Sequence, residues 1–125
     1  MLKDFLLVGA GSFLGGGSRY LLSKLIQAWV PVSFPFGTFT VNILGCLLIG
    51  FLSGLQYSGG WMSPSAKLIL TTGFCGGFTT FSTFMNESTA LMRDGNTLYL
   101  GLYIALSLML GMVAVVAGHA FSKMI

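Results

Sequence analysis

The sequence predicts an all-α membrane protein, a single domain over residues 1–125 with four transmembrane helices, the third broken mid-membrane. Three observations point there. Only 7% of the 125 residues are charged, 54% are hydrophobic and the mean hydropathy is +0.87, whereas soluble domains carry about 25% charged residues. Too little polar surface remains to wrap a water-soluble globule of this size. The apolar residues gather into four stretches, 5–29, 34–57, 68–92 and 97–121, each longer than the roughly 20 residues a helix needs to cross the hydrocarbon core. Within them apolar and polar residues do not alternate, as Leu47-Leu48-Ile49 and Val113-Ala114-Val115-Val116-Ala117 show. That pattern excludes the closed barrel, the other structure able to span lipid.

The first stretch begins like the apolar core of a signal peptide after Lys3, but Asp4 lies in its flank and the rest of the chain is equally apolar. We read it as a retained helix. It carries Gly11 and Gly15, four apart, and then Arg19-Tyr20. An arginine inside an apolar span must pair, snorkel to the interface or line a wet cavity. Trp29 closes the stretch, and Pro31 and Pro35 punctuate the connection.

The second stretch places Thr38 and Asn42 on one face, with Gly50 and Gly54 one turn apart further on. Tyr57 and Trp61 mark its interfacial end, and Ser58-Gly59-Gly60 through Pro64 form the next connection. In the third stretch Gly73, Gly76 and Gly77 precede Thr79 and Thr80. Glycine is destabilising in a helix and threonine is stiff, so a break is expected near residues 73–79. The freed carbonyls must meet a cation, water or other protein groups, or be satisfied by threonine hydroxyls at a kink.

Beyond the break Phe78, Phe81, Phe84 and Glu87 recur every third residue, with Thr79, Thr80, Ser82 and Thr83 between them. Such aromatics can be ordinary packing. In this polar company their positive ring edges can also coordinate a small anion weakly, as conduction requires. The fourth stretch follows the turn Arg93-Asp94-Gly95-Asn96 and offers hydroxyls at Tyr103 and Ser107, four apart; His119 lies at its interfacial end. Each polar pair can equally be an interhelical hydrogen bond, worth about 0.6 kcal/mol in membranes. The 18 glycines imply a tight bundle, within one chain or between two.

Charge excludes some partners. Lys3, Arg19, Lys24, Lys67, Arg93 and Lys123 are scattered singly, with no basic cluster to track nucleic-acid phosphates. Lys3, Lys67 and Lys123 fall on one side of a four-crossing plan, Lys24 and Arg93 on the other. That near balance removes the asymmetry that sets orientation, so both orientations and an antiparallel two-fold homodimer are permitted. Cys46 and Cys75 lie in apolar segments without CxxC spacing, and one histidine is too few for a metal cluster of side chains.

The string Gly76-Gly77-Phe78-Thr79-Thr80-Phe81-Ser82-Thr83-Phe84 closely resembles the third-helix signature of the Fluc/CrcB fluoride channels. Gly37-Thr38 with Val41-Asn42 and Gly45 resembles their second-helix motif, Gly15-Gly16 with Arg19-Tyr20 their first, and Tyr103 and Ser107 match their fourth. The likeness runs along essentially the whole chain. Gly16, where alanine is expected, and Gly111, where relatives carry a hydroxyl residue, are departures; the second shortens the fourth-helix part of the pathway.

The resemblance implies an antiparallel dual-topology homodimer in the bacterial plasma (inner) membrane with two fluoride pathways. It implies passive export of F⁻ that has entered as HF, and a structural Na⁺ at the dimer interface. That Na⁺ would be held by main-chain carbonyls of Gly76 and Thr79 from both subunits. Phe81 and Phe84 would present edges to fluoride, Asn42 would be a pore-lining donor and Glu87 would lie near a pore mouth. Thr38, Tyr103, Ser107, Thr80, Ser82, Thr83 and Arg19 complete the candidate pathway.

Two rivals make different demands. A small drug or proton-coupled exporter needs a buried carboxylate, a role for which Glu87 is the only candidate. A non-transporting membrane assembly factor needs no pore. No TVGYG-like filter suggests a K⁺ channel, and no catalytic constellation suggests an enzyme.

Overall fold

The computed structural model describes residues 1–57 and 63–124. It contains α1 (Leu2–Trp29), α2 (Phe36–Tyr57), a composite α3, α4 (Phe81–Arg93) and α5 (Thr97–Ser122), with no strand among the described residues. Helix α3 runs end to end through an α-helical turn Pro64–Leu68, a wider π-helical stretch Ile69–Cys75 and a last α-helical turn Gly76–Phe78. Together α3 and α4 fill the third apolar stretch, beginning four residues earlier than expected because Pro64 opens the first turn and Ser63 caps it. Trp61 and Ser58-Gly59-Gly60 lie outside the described residues, as does the side chain of Tyr57.

Three segments, Phe36–Leu55, Pro64–Arg93 and Thr97–Ser122, are long and apolar enough to cross a membrane. With 28 residues, α1 is also long enough, but its glycines, serines and Arg19 dilute its apolar character. The outer face of α5 exposes Leu98, Leu108, Met109, Met112, Val113 and Val116. A helix that is apolar on its outward side suits a hydrocarbon surround, not water.

Glycine brings the helices together inside the chain. In the α2–α5 seam, a Cβ on Gly50 would overlap the Val115 carbonyl, and one on Gly118 the Leu47 carbonyl. In the α1–α3 seam, Gly11 and Gly15 meet the backbone of residues 69–78, and Gly73 and Gly77 meet α1 in return. With no hydrophobic force between helices in lipid, this backbone-to-backbone contact supplies the dispersion energy that holds the bundle.

Two connections are fixed by specific bonds. After α4, Gly95 has a φ of 74°; its N–H reaches Met92 O and that of Asn96 reaches Leu91 O, the Schellman arrangement that satisfies a helix's last carbonyls. After α1, the Gln27 amide donates to the carbonyls of Val30, Val32 and Phe34 and accepts from the Gly37 N–H. This staple seats Phe34 in the core against Tyr103.

The break in the third stretch sits at Thr79–Thr80, later than the glycines suggested. Residues 73–78 stay helical, while Thr79 (φ −95°, ψ 161°) and Thr80 (φ −152°, ψ 122°) are extended. Packing explains the shift: the helical cost of Gly73 and Gly77 is offset by the close approach to α1 they allow. The interruption also splits the expected aromatic ridge. Phe78 ends α3 and stacks on Phe74 at 5.6 Å, whereas Phe81 and Phe84 belong to α4.

Candidate functional site

The break is built by three helices. Its own sequence supplies the restart: Thr80 is the N-cap of α4, its Oγ1 accepting the Thr83 N–H at 3.2 Å, a contribution of about 1 kcal/mol. From α2, the Asn42 side chain pairs with the Thr80 backbone twice, accepting its N–H at 2.8 Å and donating to its carbonyl at 3.1 Å. One amide thus replaces two missing helical bonds, each costing several kcal/mol if left unmade in lipid. From α1, Ser12 Oγ donates to Gly73 O at 3.2 Å and Arg19 Nε to Gly77 O at 3.0 Å.

These bonds occupy the carbonyls of Gly73, Gly77 and Thr80. They free others, those of Gly76 and Thr79 among them. The N–H of Thr80, which would close the next turn on Gly76 O, goes to Asn42, and that of Thr83, which would reach back to Thr79 O, goes to the Thr80 hydroxyl. Gly76 is exposed, with no atom within 4 Å of where a Cβ would stand. Among the described residues no cluster of three His, Cys, Asp or Glu side chains could hold a metal. Main-chain oxygens, hard and uncharged, fit an alkali cation.

Gly76 and Thr79 border an open groove of about 430 Å³, lined also by Asn42, Gly45, Cys46, Cys75, Thr80, Phe81, Phe84 and Ser107. Seven of the sequence-predicted site residues therefore share one surface. Ser107 Oγ stands out: among the described residues it is the one buried side-chain polar atom without a hydrogen-bond partner. An unpaired hydroxyl is costly in such a place and is a sign of function or of an unseen ligand.

From the groove an aromatic file leads inward. Exposed Phe81 meets buried Phe84 edge-on, with centroids 6.1 Å apart at 68°. Phe84 meets Tyr103 at 4.9 Å and 82°, and Tyr103 meets Phe34 at 5.5 Å and 74°. Tyr103 is fully buried, its hydroxyl donating to Glu87 Oε1 at 2.9 Å, and buried Thr38 lies beside that hydroxyl. Thr38, Tyr103 and Glu87 thus form a polar cluster behind Phe84, not on the groove itself. Thr80, Ser82 and Thr83 form a hydroxyl cluster at the start of α4, with Thr80 Oγ1 3.1 Å from Thr83 Oγ1 and 3.4 Å from Ser82 Oγ. Arg19 stands apart, on the α1 side of the break.

The residue pattern hid several participants. Ser12 lies seven residues before Arg19, two turns along the same helix face, and that spacing was the available signal. Gln27 and Phe34 gave none, because a glutamine near a helix end and a phenylalanine before a proline are ordinary.

The CrcB-like protein, Camphor Resistance (CrcB) family model matches residues 6–119. The chain belongs to the CrcB family. Across 124 residues it is 52% identical to a protein of Chlorobaculum tepidum named fluoride-specific ion channel FluC, covering 99% of this chain and 98% of that one. A protein of the same name from Chlorobium luteolum is 54% identical over 118 residues, 94% of this chain and 91% of its own. A third, from Flavobacterium psychrophilum, is 41% identical over 122 residues, 98% of each chain. The family match reaches into all five described helices and includes the break, the groove and the aromatic file.

Proposed function

We propose that this CrcB-family member is a fluoride-selective ion channel, a conduit and not an enzyme, which lets F⁻ leave the cell passively. The observation that carries the reading is the groove in which the unpaired Ser107 hydroxyl shares a wall with Phe81, Phe84 and Asn42. A small, strongly hydrated anion needs donors to replace its water and positive ring edges to hold it without trapping it. A hydroxyl with a proton to give and a file of edge-on rings are suited to that exchange. Glu87, Tyr103 and Thr38 form the far polar station behind Phe84, and Thr80, Ser82 and Thr83 the hydroxyls at the other end.

The groove is open along one side, and Gly76 and Thr79 lie on its border. A second, antiparallel copy would close it, and the balanced Lys/Arg distribution supports insertion in both orientations. Four carbonyls, two from each copy, would then hold one Na⁺ at the two-fold axis. When bound, that ion supplies the positive charge that locks the two breaks together. The first helix, though less apolar than the rest, crosses with the others in this arrangement.

Purified protein in liposomes should release F⁻ without any coupled ion, and Ser107→Ala should slow release about tenfold, the loss of roughly 1.4 kcal/mol of coordination. Complete absence of F⁻ release by the unmodified protein would mark it as a non-transporting factor. C-terminal tags should be found on both sides of the membrane in similar amounts; a single exclusive orientation would remove the antiparallel dimer.

A further inference from the structure

We infer that Arg19 is a positioning residue for the broken segment and its cation-facing carbonyls, not an attractor of anions. The inference rests on the channel reading above and concerns how its central site is held in shape.

The geometry is specific. Arg19 is half-buried, and its Nε–H donates to a main-chain carbonyl, Gly77 O at 3.0 Å. Ser12, two turns earlier on α1, donates to Gly73 O at 3.2 Å, and Gly73 and Gly77 are themselves one turn apart on α3. Two donors on one helix face thus address two carbonyls on the facing helix. Between them the backbones touch: a Cβ on Gly77 would stand 2.7 Å from Ser12 O, and one on Gly73 3.0 Å from Gly11 Cα. The arginine is the last tie of this seam before the chain turns extended at Thr79.

Gly77 lies between Gly76 and Thr79, the two residues that border the groove and whose carbonyls the proposed cation site would use. Peptide planarity transmits the constraint. In a trans peptide the C=O of Thr79 and the N–H of Thr80 point opposite ways, so Asn42, by accepting that N–H, aims the Thr79 carbonyl away from itself. Arg19 does the corresponding work two residues earlier, fixing the peptide that follows Gly77 against α1. With the segment gripped from α1 and α2, the carbonyls of Gly76 and Thr79 are among those left free. A guanidinium engaged in this way directs its Nε donor into the backbone; lysine, a point charge without that planar fork, keeps the charge and loses the directed bond.

This distinguishes the two roles. If Arg19 positions the break, Arg19→Lys should behave like Arg19→Gln. In liposomes of either variant the Na⁺ concentration giving half-maximal F⁻ release should rise about tenfold, with the F⁻ concentration dependence and the response to ionic strength unchanged. Hydrogen exchange of the peptide covering residues 76–82 should speed up in both variants, a readout independent of transport. Ser12→Ala should shift both measures the same way but less. The inference is overturned if Arg19→Lys keeps wild-type Na⁺ dependence and exchange while Arg19→Gln alone weakens F⁻ release and flattens its ionic-strength response. If the wild type shows no Na⁺ dependence, the cation reading fails by itself. The exchange measurement then decides on Arg19: faster exchange in Arg19→Lys upholds the clamp, and unchanged exchange sinks it.

Discussion

Two seams of this molecule are made from different material. Where α2 meets α5, glycines let the backbones touch, Gly50 against Val115 and Gly118 against Leu47, Phe51 packs on Phe121, and both helices run through uninterrupted. Where α1 and α2 meet the third segment, the same glycine contact is joined by Ser12, Arg19 and Asn42, each bonded to main-chain groups at or beside the break. The first seam joins two unbroken helices. The second must also satisfy the backbone that an interruption exposes, and it does so with side chains that leave one face of the break open. A polar residue inside this bundle thus holds the backbone, faces the groove as Ser107 does, or joins the Thr38–Tyr103–Glu87 cluster behind Phe84.

The largest expected effect comes from taking the holding group away. Asn42→Leu leaves the Thr80 N–H and carbonyl unpaired, and at about 1–3 kcal/mol for each buried unsatisfied group it should cost roughly 3 kcal/mol of stability. F⁻ release from liposomes should be abolished as well. Gly118→Leu, in the plain seam, overpacks the Leu47 backbone and should cost about 1–3 kcal/mol, while the protein that survives conducts normally. Denaturation in detergent and flux per folded protein separate the two outcomes. If Gly118→Leu impairs flux as severely as Asn42→Leu, the division between the seams is wrong.

A smaller, more selective effect is expected within the groove. Phe81→Ile and Phe84→Ile keep apolar bulk but remove the ring quadrupole, so each should lower F⁻ release about tenfold, the upper range of such edge interactions. Methionine at either position should be milder, because its polarisable chain still presents a partly positive methyl to the anion. Phe84→Ile should also loosen the core it shares with Tyr103, whereas exposed Phe81 should tolerate replacement without loss of stability. Phe78, buried and stacked on Phe74 in α3, serves as the packing control. Wild-type flux in both isoleucine variants would take the rings out of the mechanism.

Much of this was legible in the residues because hydropathy dictates it: all four apolar stretches are helical, the third as α3 and α4, and Gly95 ended α4 where the Asp-Gly turn was expected. A break was legible too, its place only at the far edge of the expected window. Glycine's poor helix propensity pointed to residues 73–79, yet tertiary contact with α1 outweighs propensity there and moves the interruption to the two threonines. Seven candidate residues do meet on one groove. The partner of Arg19 was not readable, since a carbonyl 58 positions away leaves no mark on the sequence. Nor did Gln27 announce that it would bond three carbonyls of the loop beyond it and the Gly37 N–H at the start of α2.

The central claim is that this groove passes fluoride and refuses the commoner halide. It is tested most directly by loading liposomes containing the purified protein with equal KF and KCl, adding valinomycin to carry the compensating K⁺, and following both anions outside. Fluoride is expected to empty rapidly while chloride stays behind, without any gradient of protons or Na⁺ to drive it. Equal release of both anions, or release of neither, would contradict the account.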